Sequence, residues 1–290
     1  MDDWKENIYF VLVGPKEPGN IGASARAIKN MGFRKLSLVK PPPEMSEEGR
    51  WFARNAHDVL DAAEVYSSVD EAISDKALVV GTTRRKGKRR GVIMPVEKGV
   101  VRIRDIAINN KVAILFGREA RGLFNEEVEE CGFMLTIPSS KIQPSLNLAQ
   151  AVLLTAYELS KHGQGLEGVR AGGRKRLDNT TLKQDLMTHG DVDSLYERIS
   201  SVLELLDYIP RGDRNLREKI ISNLKHFIGR AGLTEWELKM LRGLCHQVNK
   251  KVERVSWPGI LIVHHPKRCL AEALVRHGHR LQPRRSNVHI

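Results

Sequence analysis

The stretch from Val112 to Leu159, VAILFGREARGLFNEEVEECGFMLTIPSSKIQPSLNLAQAVLLTAYEL, constrains this 290-residue chain more than any other. It predicts strand, loop, short helix, strand, loop and long helix, because most of its Gly, Pro, Ser and Asn residues gather in two loops between periodic segments. Val112 to Phe116 is an unbroken apolar run of strand length, and Phe133 to Ile137 is a second. Runs of this kind mark strands buried on both faces, as in a parallel sheet. The first run ends in Gly117-Arg118-Glu119 and then Gly122-Leu123; the second ends in Pro138 and then Ser145-Leu146-Asn147. Beyond them Leu148, Ala151, Val152, Thr155 and Leu159 recur at the spacing of a core-facing helix.

The same alternation runs through the N-terminal half. Tyr9 to Val13 reads as a strand stopped by Gly14-Pro15, and Pro18-Gly19 turns the chain into a helical pattern of Ile21, Ala25, Ile28 and Met31. Leu36 to Val39 is a further strand, ended by Pro41-Pro42-Pro43. Helical character follows through Trp51, Ala53, Ala56, Val59 and Leu60, with Trp51 read as a packing residue, and a short helix begins near Val69. Ala77 to Val80 is the third core strand. Five strands interleaved with helices predict a parallel α/β sheet ending at about Lys161. Ligands bind such sheets beyond the carboxyl ends of the strands, which makes Gly81 and Thr82 candidate ligand neighbours. Gly14 to Ile21 lacks the Lys-Ser/Thr pair of a phosphate loop, which excludes a nucleoside triphosphatase, and the absence of a glycine-rich dinucleotide fingerprint counts against an ordinary Rossmann methyltransferase or dehydrogenase.

Residues 162–185 are polar, basic and glycine-containing, the composition of a flexible linker. The pattern then becomes helical. Leu195, Ile199, Val202 and Leu206 form one apolar stripe, Ile220, Ile221, Leu224 and Ile228 a second, and Leu238, Leu241, Cys245 and Val248 a third, with Thr234 and Glu237 as a capping box. Residues 186–256 therefore read as a small helical domain, carrying Arg211, Arg214, Arg217, Lys219, Lys225 and Arg230. Residues 257–290 form a basic tail of unknown role. It holds five of the ten histidines, without a ligand framework, and Cys131, Cys245 and Cys269 lie far apart, so no metal is expected.

Lys and Arg outnumber Asp and Glu by 47 to 35, a formal charge of +12, and the excess is clustered. Arg84 to Arg90, RRKGKRR, lies at the predicted ligand-binding edge, a position that favours contact of Arg84, Arg85, Lys86, Lys88, Arg89 and Arg90 with an RNA phosphate backbone over a merely solvated loop. No apolar run approaches the ~20 residues of a membrane span. The N-terminus is charged and without a signal-peptide core, so a cytoplasmic protein is expected.

Asn20-Ile21-Gly22 with Arg26, Gly117-Arg118-Glu119 with Gly122-Leu123, and Ser145-Leu146-Asn147 resemble, in order, the three motifs of the SpoU/TrmH family of RNA ribose 2′-O-methyltransferases, within the SPOUT superfamily. Residues 51–59 and the segment Leu233 to Leu244 resemble a branch of that family that methylates tRNA. The resemblance implies a methyltransferase domain over residues 1–161 with a C-terminal trefoil knot, a helical extension that helps hold tRNA, and a homodimer in which the partner chain borders each site. It implies S-adenosylmethionine as methyl donor, with no metal needed, and a ribose hydroxyl of tRNA as acceptor: cytidine, with uridine also considered, at nucleotide 32 of the anticodon loop. Another tRNA or ribosomal RNA site, or a non-catalytic RNA-binding protein on the same scaffold, are the alternatives.

By the same resemblance Arg26, Asn20, Glu119, Ser145 and Asn147 are catalytic. Gly81, Thr82, Gly117, Glu119, Ile137, Ser145 and Leu146 bind the donor. A guanidinium keeps its proton in water, so Arg26 is assigned to an adjoining phosphate and to developing negative charge, with Glu119 orienting Arg26 or Asn20. Read from the residues alone, Asn20 is first of all a helix N-cap, Ser145 and Asn147 are N-caps of the final helix, and Glu119 is a helix-start acid. Gln150 departs from the commonest form of the third motif, with packing at a dimer edge as its expected consequence.

Overall fold

The computed structural model describes residues 3–43, 47–85, 87, 90–161, 184–209 and 214–255. The basic residues Lys86, Lys88, Arg89 and Arg211, nearly all of the expected linker and the tail at 257–290 lie outside them.

Seven strands form one sheet in which every pairing is parallel: β1 (Ile8–Val13), β2 (Lys35–Val39), β3 (Glu64–Tyr66), β4 (Leu78–Thr82), β5 (Ile93–Pro95), β6 (Val112–Phe116) and β7 (Phe133–Thr136), in the order β3-β2-β1-β6-β4-β7-β5. The five strands read from the sequence are the five inner ones. The two that sequence reading passes over, β3 and β5, are three residues long and stand at the sheet's edges. Neither is long enough to show a period, and Pro95 has no N–H for a second neighbour, which suits only an edge.

Alternation along each inner strand sends side chains to two layers. Ile8, Phe10 and Leu12 of β1 join a core with Ile21, Ala25 and Ile28 of α1 (Pro18–Asn30), Val100 and Ile103 of α5 (Val96–Ala107), and Leu148, Val152, Ala156 and Leu159 of α7 (Leu148–Lys161). Tyr9, Val11 and Val13 face the other way, onto Ala72 and Ile73 of α4 (Val69–Ile73) and Val128 of α6 (Asn125–Glu129). The stripe expected in 148–159 is buried at Leu148, Val152, Thr155 and Leu159. Two short helices, α2 (Glu47–Phe52) and α3 (His57–Asp61), follow β2. Gly22 is needed where α1 meets α2, since a Cβ there would stand 1.9 Å from the Gly49 carbonyl oxygen. Trp51, read from the sequence as packing, is 70 % exposed, because α2 turns that side of itself away from α1.

Three helices follow, α8 (His189–Leu205), α9 (Arg214–Ala231) and α10 (Glu235–Val255). Their shared core is Val192, Leu195, Tyr196, Val202, Ile228, Leu238 and Cys245. The Thr234–Glu237 capping box forms as expected, with reciprocal bonds of 2.8 and 3.4 Å. The described residues up to Asn249 make one compact unit. Within it α9 lies against the end of α6: Gly132 and Gly229 approach so closely that a Cβ on Gly132 would stand 2.3 Å from the Gly229 carbonyl oxygen, and the Cys131 carbonyl oxygen lies 2.9 Å from His226 Nδ1. Among the described residues no helix is long and apolar enough to cross a membrane.

Candidate active site

A cavity of about 160 Å³ opens at the carboxyl ends of β4, β6 and β7. Its apolar wall is Phe116, Leu135, Ile137, Leu146 and Leu148. Its polar rim includes Thr82, Thr83, Glu119 and Ser145, and Arg84, Arg85 and Arg90 stand beside it. These residues are far apart in the sequence; the strand order β6-β4-β7 brings them together.

The loop after β6 forms one wall. Gly117 has no alternative there, because a Cβ would fall 2.2 Å from both Gly122 C and Leu123 N. Arg118 and Gly122 close the loop through paired backbone bonds, Gly122 N–H to Arg118 O at 2.7 Å and Arg118 N–H to Gly122 O at 3.3 Å, with Gly122 in the left-handed region at φ +70°. From this short turn two successive side chains leave in opposite directions. Glu119 reaches the start of α1, where its carboxylate accepts from Asn20 Nδ2 at 3.0 Å and from the Lys16 and Glu17 N–H groups at 3.3 and 3.4 Å. Arg118 reaches α6, where both its terminal nitrogens donate to Glu127, at 3.0 and 2.9 Å.

The relay on the α1 side continues, since Asn147 Nδ2 donates to Asn20 Oδ1 at 2.9 Å. Asn20, Glu119 and Asn147, one residue from each expected motif, are therefore one hydrogen-bonded set. Burial pushes the Glu119 carboxyl up, but the Asn20 amide and the loop N–H groups outweigh it and hold the group below the usual glutamate range. Asn20 is not the N-cap considered from the sequence. The helix starts at Pro18, with Glu17 at the cap position, because proline at the first position lacks only an N–H that has no helical partner. That leaves the Asn20 side chain free to face the loop. Asn147 does cap its helix, accepting from Ala149 N–H at 2.9 Å, while Gln150 accepts from Asn147 N–H at 3.2 Å. Gln150 is thus the reciprocal half of a capping box.

Other expected site residues are placed less directly. Gly81 does not line the cavity; a Cβ there would meet Met134 and Cys131 on the far side of the sheet, which explains its small size by packing. The Thr82 hydroxyl donates to Leu115 O at 3.0 Å, so it fastens β4 to β6. Ser145 is exposed at the mouth. Arg26 is exposed on α1 and does not line the cavity, and its guanidinium makes no hydrogen bond or ion pair among the described residues. Arg90 is fixed by donation to Thr83 Oγ1 at 3.0 Å. In the helical region Lys225 is spent inside the chain, on Glu130 at 2.6 Å, and Arg217 pairs with Glu197 at 3.3 Å. Glu130 also lies 2.9 Å from His189 Nε2, with Asp193 beyond; this trio has the residue types of a metal site, but Lys225 supplies its positive charge. Arg118 is the residue that sequence reading named only as part of a motif. Its signal, an arginine before Glu119 with a glutamate nine positions on, is not readable without the turn that brings them together.

A parallel α/β sheet with a ligand cavity at its carboxyl edge, lined by the loops of the second and third shared motifs and tied to the first through Glu119 and Asn20, is the arrangement of an enzyme of the RNA-methylating class. The chain belongs to the SpoU rRNA Methylase family, whose model matches residues 7–157, and is an RNA 2′-O-methyltransferase. It is 33% identical over 254 residues to the tRNA (cytidine/uridine/adenosine-2′-O-)-methyltransferase TrmJ of Pseudomonas aeruginosa, covering 87% of this chain and 97% of that protein. It is 33% identical over 249 residues to the tRNA (cytidine/uridine-2′-O-)-methyltransferase TrmJ of Photorhabdus laumondii, covering 84% and 98%. Among solved structures, TrmJ from Z. mobilis ZM4 superposes with a TM-score of 0.68 at 28% identity, over 83% of this chain and 98% of that one. The family uses S-adenosylmethionine.

Proposed function

We propose that the chain transfers the methyl group of S-adenosylmethionine to the ribose 2′-hydroxyl of a tRNA cytidine or uridine, at nucleotide 32 of the anticodon loop, as a homodimer in the cytoplasm. The observation that carries this reading is that Glu119, which lines the cavity, is joined through Asn20 to Asn147, one residue from each shared motif. A tRNA is favoured over ribosomal RNA because the likeness to TrmJ proteins continues past residue 157 into the helical region.

The residues of the cavity suit S-adenosylmethionine. Phe116, Leu135, Ile137, Leu146 and Leu148 offer an apolar wall to an adenine, and Gly117, Ser145 and the 117–122 backbone offer polar groups at the mouth. The bound donor supplies an electrophilic methyl with a neutral thioether as leaving group, so the protein's share is alignment and charge stabilisation. Arg26, exposed and without a partner among the described residues, can meet the phosphate beside the acceptor ribose and stabilise negative charge as the hydroxyl loses its proton. Glu119 holds Asn20, and Asn20 holds Asn147, so the three motif loops keep one spacing while substrate enters. Arg84, Arg85 and Arg90 add positive charge next to the cavity for the RNA backbone.

Dimer formation is supported by α7, which leaves Leu153, Leu154 and Tyr157 exposed, with Ile142 just before it. The knotted path of the last segment is part of the same proposal and rests on family membership.

The test is methyl transfer from labelled S-adenosylmethionine to unmodified tRNA transcripts, with the product nucleotide mapped. Label on the ribose of nucleotide 32 is expected; no transfer and no donor binding would replace this reading with a non-catalytic RNA-binding one. Exchanging Arg84, Arg85 and Arg90 for Gln should weaken tRNA binding and flatten its dependence on salt by about one unit of slope for each phosphate left without its arginine. An unchanged slope would return the run to a solvated loop.

A further inference from the structure

We propose that Arg118 is a positioning residue for the methyl-donor pocket, acting through Glu127 and the ring of Phe124 rather than by touching the donor; this rests on the donor-site reading above. Arg118 lines the cavity, yet both its terminal nitrogens are committed to the Glu127 carboxylate at 3.0 and 2.9 Å. Its guanidinium carbon lies 3.9 Å from the centroid of the Phe124 ring, so one face of the group is covered. Glu127 is itself fixed. The oxygen that takes Arg118 Nη1 also accepts from Phe124 N–H at 2.7 Å, which caps the first turn of α6. Side-chain exposures of 20 % and 11 % make the pair mostly buried.

The stem of Arg118 completes the arrangement. It crosses the end of β1 at Gly14, where a Cβ would stand 2.9 Å from Arg118 Nε, so a glycine at φ +57° leaves the room that the arginine fills. Arg118 therefore ties three things to the wall of the cavity: the end of β1, the 117–122 turn and the start of α6. The backbone of that turn is what Gly117 brings to the cavity. A bidentate, stacked guanidinium fixes orientation as well as distance, which a lysine in its place does not reproduce.

A residue that merely stabilises the fold changes how many molecules are active, so its loss lowers kcat and leaves KM and Kd for the donor unchanged. A residue that sets the shape of the donor pocket changes KM and Kd. Calorimetric titration of the full chain with S-adenosylhomocysteine, together with donor KM and kcat on tRNA, separates the two for Arg118→Ala, Arg118→Lys, Glu127→Ala and the Arg118→Ala/Glu127→Ala pair. We expect donor Kd and KM to rise about tenfold in Arg118→Ala, and kcat to fall by less than about threefold, the scale of a misplaced binding wall. Glu127→Ala should give a similar loss and the double variant no further one. Arg118→Lys keeps the charge and should still bind the donor several-fold more weakly, which serves if the alanine variant does not fold. Donor Kd unchanged in folded Arg118 variants would overturn the proposal. Losses that add in the double variant would also overturn it, because they would mean that Arg118 touches the donor directly. Wild-type protein that binds no S-adenosylhomocysteine would overturn the donor-site reading, and the proposal with it.

Discussion

The two side chains that leave the 117–122 turn can be compared directly, because they are neighbours in sequence and differ in almost everything else. Glu119 points to α1 and ends in an exposed relay of amides that joins three motif loops. Arg118 points to α6 and ends in a mostly buried ion pair under an aromatic ring. The relay is assembled from groups that keep spare hydrogen-bonding capacity at the rim, where a substrate arrives. The ion pair is mostly buried, holds the guanidinium in one orientation and stiffens the wall. A ligand-binding loop needs both kinds of anchor: one that ligands can perturb, and one that they cannot.

The largest effect should come from the α1 side. Arg26→Ala is expected to cost about a hundredfold or more in kcat, the scale of losing one group that stabilises developing charge, with donor Kd unchanged. Retained activity in labelled methyl transfer would remove Arg26 from its assigned role and leave the α1 side purely structural. Next, Glu127→Ala leaves the Arg118 guanidinium mostly buried without its partner, and breaking such a pair costs about 3 kcal/mol of folding stability. Denaturant unfolding reads this directly, and a loss under about 1 kcal/mol would show that the two sides of the turn are energetically alike.

The smallest effect is that of Glu119→Gln on stability, below about 1 kcal/mol because the relay is exposed to solvent. Its sign with pH is defined. Burial raises the Glu119 carboxyl and the hydrogen bonds to its ionised form lower it by more, so the folded value lies below the ordinary 4.5. The ionised relay therefore stabilises the fold above the ordinary value, and that contribution is lost as pH falls through the lower folded one. The unfolding curves of wild type and Glu119→Gln should differ at neutral pH and converge in acid. A gap that widens toward acid would mean that the relay does not depend on the glutamate charge.

Much of this was legible without coordinates. The inner strands announce themselves as apolar runs, and the buried stripe of α7 as a period, since strands buried on both faces and amphipathic helices leave local signals. Asn20, Glu119 and Asn147 were legible as motif members, although not as one bonded set. Edge strands β3 and β5 were not legible, being three residues long. Trp51 misled because aromatic content predicts burial only on average, and the side of α2 that faces solvent is decided by how α1 and α2 cross at Gly22.

Residue types and their order along the chain carry the parallel α/β class, the positions of the motif loops at strand ends and the family to which the chain belongs. Each of these depends on residue type and spacing along the chain. It takes the folded chain to show that Gly81 packs against Met134 behind the sheet while Thr82 stands at the cavity, that Lys225 is spent on Glu130, and that Arg118 and Glu119 anchor opposite sides of one turn. These depend on which strands are neighbours and which side of a backbone faces a partner. A spacing along the chain does not carry that information, because the parallel crossovers bring distant segments side by side.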